Sequence, residues 1–322
     1  MSLSTPIGFI IFNRPDLTER VFATIAQVKP KKLLVIADGP RFSEEAEKCH
    51  KARAVIQKVD WDCEVLTNFS DVNLGCGRRP ASGIDWIFSQ VEEAIILEDD
   101  LLPSPSFFYF CQELLEYYRH DERIMLISGD NYQDSQSRTD YSYYFSQYAL
   151  TCGWASWRRA WKHYDYQMKS WPEFKQAGLL DFVFPDSYQQ KYWMSVFDNM
   201  YEDPEVIAAW DYQWLYACFA QSGLCIVPNS NLISNIGFRS DATHITNELD
   251  RRANLPTNDI WKIKHPPFVV INREADNYDF DLIHGGKEMK ESEKFISKIS
   301  RKISSIKRRV KSKFLNFLPV HT

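Results

Sequence analysis

The chain has 322 residues, enough to bury the core of one large α/β domain or two smaller ones. Its composition, 44% hydrophobic and 15% aromatic, is that of a soluble globular protein, and a formal net charge of -5 gives no general reason to expect nucleic-acid binding. The seven cysteines are odd in number and scattered without a CxxC pair, which argues against a disulfide framework or a zinc knot and for reduced thiols in a cytosolic setting.

The first apolar run, Ile7-Gly-Phe-Ile-Ile-Phe12, has strand length and is too brief for the core of a signal peptide. It ends in Asn13-Arg14-Pro15, after which Asp16 is expected to cap a helix with Leu17, Val21, Ile25 and Val28 along one face. Residues 33–37 form a second apolar strand closed by Asp38-Gly39-Pro40. A polar helix is expected over 43–58 and a third strand over 63–68. A glycine-broken loop over 73–79 leads into a helix carrying Ile84, Ile87, Phe88 and Val91. The fourth strand, 94–97, runs straight into Glu98-Asp99-Asp100. Ser104-Pro105 then starts another helix, and 124–127 forms a fifth strand. Apolar strands alternating with helices predict an open, mostly parallel α/β sheet covered on both faces.

After Asp130 the character changes. Residues 130–147 are polar and tyrosine-rich, and read as a loop with antiparallel strands. Tryptophans gather in Gly153-Trp154-Ala-Ser-Trp157 and Ala209-Trp210-Asp211-Tyr-Gln-Trp214, and 224–227 is a further strand. No segment has the length of a membrane span. Absence of a signal or anchor favours a bacterial, cytoplasmic protein.

Ligands of open α/β sheets bind outside the carboxyl ends of the strands, where Arg14, Asp38 and Glu98-Asp99-Asp100 all fall. Like charges about 4 Å apart repel by roughly 1 kcal/mol in water and roughly 4 kcal/mol at an effective dielectric of 20. A divalent ion shared with substrate phosphates would relieve that repulsion. An acidic run of this kind also serves as a solvated loop or a helix cap, and spacing alone does not separate these uses. Arg78, beside a glycine loop before a helix, stands where phosphate is held, and equally where a basic turn is simply solvated.

Ile95-Ile-Leu-Glu98-Asp-Asp100-Leu-Leu-Pro-Ser-Pro-Ser-Phe107-Phe108-Tyr109-Phe110 resembles the metal-site segment of the N-acetylglucosaminyltransferase I family. Phe12-Asn13-Arg14-Pro15, Trp210-Asp211-Tyr-Gln-Trp214 and Ser240-Asp-Ala-Thr-His244 resemble further segments of that family in the same order. The second of these is one residue longer than the family's Trp-Asp-Asp-Trp. The resemblance implies a GT-A fold and an inverting transferase acting on a nucleotide-diphosphate sugar, with a UDP-sugar favoured and a glycan or glycolipid as acceptor, as in polysaccharide biosynthesis. It implies Mn²⁺ or Mg²⁺ at Asp100, with Arg14, Asp38, Glu98 and Asp99 on the donor nucleotide and Asp211 as the base. His244 is a candidate metal ligand and equally a loop histidine, while Trp210, beside Asp211, is the candidate for contact with the acceptor sugar.

The expected organisation is a catalytic domain over 1–285, with a donor half at 1–130 and an acceptor half at 131–285, followed by a basic amphipathic tail over 286–322. Lysines and arginines flank an apolar stripe in that tail, a pattern shared by helices on anionic membrane surfaces and by solvated helices, so attachment to the inner face of the cytoplasmic membrane is one expectation. Two rivals remain. A sugar-phosphate nucleotidyltransferase would use a similar sheet but a glycine-rich first loop, where residues 8–15 hold only Gly8. A glycan-binding protein with a transferase fold would have no need to keep Asp100 and Asp211 together.

Overall fold

The computed structural model describes residues 3–205, 208–240, 242 and 247–292. Among these the strands are β1 (Ile7–Ile11), β2 (Lys32–Ala37), β3 (Glu64–Phe69), β4 (Glu93–Glu98), β5 (Leu101–Pro103), β6 (Ile124–Ser128), β7 (Tyr143–Ser146), β8 (Trp154–Trp157), β9 (Leu224–Pro228) and β10 (Ile233–Asn235). The helices are α1 (Pro15–Val28), α2 (Ala46–Ala54), α3 (Gly75–Gln90), α4 (Pro105–Tyr117), α5 (Arg158–Trp161), α6 (Trp171–Gln176), α7 (Leu180–Val183), α8 (Ser187–Glu202), α9 (Asp211–Ala220) and α10 (Arg273–Ile283).

Eight strands form one mixed sheet in the order β3-β2-β1-β4-β8-β6-β9-β7. The first four are parallel, β8 runs antiparallel between β4 and β6, and β7 closes the far edge antiparallel to β9. The sheet therefore draws strands from both halves of the chain. Side chains of β1 and β2 alternate across it. Ile7, Phe9, Ile11, Leu33 and Val35 pack on one face with α1 and α4, while Ile10, Leu34 and Ile36 pack on the other with α3. Both faces are dry, which is why these strands read as unbroken apolar runs. Burying each such side chain contributes roughly 1.5–3 kcal/mol. Helix α3 lies so close to β1 that a Cβ at Gly8 would overlap the Ile87 side chain. A third core surrounds Trp193 and Phe197 of α8 and includes Trp171, Phe184 and Phe219, accounting for much of the aromatic richness after residue 150.

Three local expectations are corrected. Helix α1 begins at Pro15 with Arg14 at its cap position and no side-chain cap, because proline suits the first helical position. Asp16 instead lies in the first turn, where it pairs with Arg239 at 2.6 Å. The polar helix expected over 43–58 is α2 flanked by the 3-10 turns Ser43–Glu45 and Val55–Lys58. The glycine segment after Leu74 is already helical, since α3 starts at Gly75 and continues through Pro80. No helix among the described residues is long and apolar enough to cross a membrane. Most of the predicted basic tail, residues 293–322, lies outside the described residues.

Candidate functional site

Strands β1 and β4 are neighbours, with Ile10 opposite Glu98, so the residues that follow them meet at one edge of the sheet. The Arg14 guanidinium donates to Asp99 at 2.5 Å and to Asp100 at 2.9 Å, while the Phe12 backbone N–H donates to the second Asp99 oxygen at 3.1 Å. Asp99 is thereby turned inward and buried. From Asp100 the chain enters β5, which pairs with β10 in an antiparallel ribbon. That ribbon brings the Asn235–Phe238 region over Asp100, with the Ile236 N–H donating to the Asp100 carbonyl at 2.9 Å. A Cβ at Gly237 would collide with the Asp100 carboxylate, so glycine is needed for this approach.

A cleft of about 480 Å³ opens here. Arg14, Glu98 and Asp100 line it from the strand ends, and Trp210, Asp211 and Tyr212 from the start of α9. Burial, followed by the charges of Asp100, Asp99 and Asp211, pushes Glu98 up to about 8. Burial also raises Asp99 to about 6, against the pull of Arg14. For Arg14 itself burial opposes the charge, but the two aspartates outweigh it and hold the guanidinium firmly protonated. The second arginine of the cleft, Arg252, is already engaged by Asp250 through two bonds of 2.8 Å. The site is thus a cluster of acids facing an open cleft. Among the described residues no group of three or more His, Cys, Asp and Glu side chains is placed to hold a metal ion unaided. A hard cation sharing one or two of these carboxylates with phosphate oxygens suits such a donor set.

Of the residues singled out from the sequence, the cleft gathers Arg14, Glu98, Asp100, Trp210 and Asp211, with Asp99 locked behind Arg14. Asp38 lies apart. Its buried carboxylate accepts from the backbone N–H groups of Gly39, Leu74 and Gly75, each at 2.9 Å, and from the Asn73 amide at 3.0 Å, and so caps α3. Burial raises its pKa against those bonds. Arg78 is exposed and paired with Glu205 at 2.6 Å rather than turned into the cleft. Its neighbour Arg79 is buried and bonds the Ala37 carbonyl and Asn68, fastening α3 to the ends of β2 and β3. Trp210 presents little surface, 6% exposed, because its ring stacks on Trp154 at 5.7 Å. His244 lies outside the described residues.

The sequence reading missed Tyr132, Cys152 and Arg252, which complete the cleft wall, and Asp130 behind them. Asp130 accepts from the Tyr132 hydroxyl at 3.0 Å and from the Cys152 N–H at 3.2 Å, and burial pushes it up to about 7. Its position just past β6, another strand end, was the available signal. Arg252 carried none, because nothing in its own segment indicates that it returns to the cleft.

No protein-family model matches the chain, and no curated protein matches it. Among solved structures, a UDP-glucose pyrophosphorylase complexed with UDP-glucose is similar at a TM-score of 0.26 and 10% sequence identity, over 46% of this chain and 63% of that one. The chain thus spans less than two thirds of that neighbour's length.

Proposed function

We propose that the chain is a metal-dependent glycosyltransferase that moves a sugar, with inversion, from a nucleotide-diphosphate donor to a hydroxyl of a glycan or glycolipid, with a UDP-sugar the favoured donor. The observation that carries this reading is the cleft itself, in which Glu98 and Asp100 face Asp211 closely enough for Asp211 to raise Glu98. Asp100, with Glu98 beside it, would hold Mn²⁺ or Mg²⁺, which when bound supplies positive charge to a diphosphate leaving group. Arg14 holds Asp99 and Asp100 in place and limits their mutual repulsion. Asp211, in the first turn of α9, would take the proton from an acceptor hydroxyl. The basic tail, as read from the sequence, would hold the enzyme at an anionic membrane surface on the cytoplasmic side.

Calorimetric titration of UDP with Mn²⁺ present or chelated tests the donor site. Metal-dependent binding is expected, weakened in Asp100→Ala beyond the roughly 10–100-fold typical of losing an outer-sphere partner. If no nucleoside diphosphate binds, or if Asp100→Ala binds it as well as the parent, the reading fails. Synthesis of a nucleotide sugar from UTP and a sugar 1-phosphate would put a nucleotidyltransferase in its place.

A further inference from the structure

Beside the cleft lies a smaller hollow of about 150 Å³, and Tyr132 belongs to the wall of both. The Tyr132 hydroxyl is held by Asp130, so this partition between the two compartments is fixed. The consecutive arginines divide between them, with Arg251 on the hollow and Arg252 on the cleft. At roughly 30 Å³ per water the hollow has room for about five waters, a space suited to one small ring and too small for a nucleotide.

Its lining is mostly polar, and its one acid is paired with its one arginine. The amides of Asn131 and Asn231 are immobilised by bonds to the Pro228 and Ile233 carbonyls, at 2.7 and 2.6 Å. The hydroxyls of Ser135 and Ser230 and the carboxamide of Asn258 line the hollow, and Ser135 and Asn258 are open to solvent, so a ligand can reach them. Asp134 is the one acid of the lining; Arg251 at 2.5 Å neutralises it, and the Tyr278 hydroxyl donates to it at 2.6 Å. Leu255 and Pro256 add an apolar surface. Asp134, Ser135 and Asn254 around the rim adopt left-handed backbone, with φ of 49°, 62° and 51°. Asp and Asn adopt this conformation readily in turns, and Ser135 less so. Hydroxyl and amide groups beside an apolar surface, without net charge, match a sugar ring, which has polar edges and an apolar face.

We infer that this hollow is a subsite for a neutral hexopyranose unit of the acceptor, seated next to the reacting cleft across Tyr132. The inference rests on the transferase reading of that cleft. Saturation-transfer NMR on the full chain, with D-glucose, D-galactose and N-acetyl-D-glucosamine as separate probes, tests it alongside UDP calorimetry. At least one of these sugars is expected to bind, with UDP present as well as absent. Ser230→Trp, which fills the hollow, and Asn258→Leu, which removes an exposed amide, are each expected to weaken that sugar roughly tenfold while leaving UDP affinity unchanged. Absence of binding for all three sugars overturns the inference, as does displacement of the sugar by UDP or equal binding by both variants. Should Ser230→Trp fail to fold, Asn258→Leu alone decides. If UDP binds and no sugar does, the subsite falls and the donor reading stands; if a sugar binds as described and UDP does not, the reverse holds.

Discussion

The acidic end of β4 and the paired acids of α10 are built from the same ingredient and put to different use. At β4, Glu98 and Asp99 are pushed up to about 8 and about 6, and on α10 Asp276 and Asp279 are pushed up to about 7 and about 8. Burial is the largest cause in all four. The surroundings differ. Glu98 feels its neighbours Asp100 and Asp99 and, across an open cleft, Asp211, with Arg14 as a nearby cation. Asp276 and Asp279 are shut away from solvent; Asp279 feels Asp276 and, in the opposite sense, Arg138, and the pair accepts from neutral donors, the Ser146 hydroxyl at 2.6 Å, the Gln147 N–H at 3.2 Å and the Gln133 amide at 2.6 Å. A raised carboxylate pKa therefore identifies burial, and only access to a cleft converts burial into a site. The α10 pair ties that helix to β7 and to the Gln133 loop.

Parallel substitutions can break this comparison. Asp211→Asn, on the open side, should lower turnover by roughly 10²–10⁴, the usual contribution of a general base, with UDP affinity unchanged. Normal turnover would remove Asp211 from the chemistry. Arg14→Leu leaves Asp99 buried without its partner and should destabilise the fold by about 3 kcal/mol in chemical denaturation. An unchanged midpoint would mean that the acids do not need the guanidinium.

The smallest effect on turnover is expected at the closed pair. Asp279 titrates higher in the folded chain than in the unfolded one, so the fold retains a proton that the unfolded chain releases above about pH 4. Its stabilisation is complete below that pH and is lost as the pH rises towards about 8. Between about pH 5 and pH 8 the parent should therefore lose stability that Asp279→Asn does not lose, with turnover unaffected in the variant. Denaturation curves that shift in parallel for the two proteins, or a variant with impaired turnover, would show that the two clusters are not separate in the way described.

Much of the frame was legible in the residues alone. Strands β1, β2, β4 and β6 are continuous apolar runs because parallel strands covered on both faces have no polar side to show. The rule that ligands sit beyond strand ends then singled out Arg14 and Glu98-Asp99-Asp100, which the sheet does bring to one edge. The same rule also selected Asp38, whose oxygens are taken up by the N-terminus of α3, because a strand end does not say whether the next loop folds away from the cleft or over it. Asp130 lay at an equally eligible strand end and passed for part of a polar loop.

Local pattern determined which segments are strands and helices and where charge is concentrated, because periodicity and burial act over a few residues. Tertiary structure alone decided which of those charges meet. The insertion of β8 between β4 and β6, the pairing of β5 with β10 above Asp100, and the return of Arg251 and Arg252 to the cleft and its neighbouring hollow all depend on contacts between distant parts of the chain. Such contacts are settled by the packing of complete faces against one another, and the periodicity of a single segment carries no record of its partner.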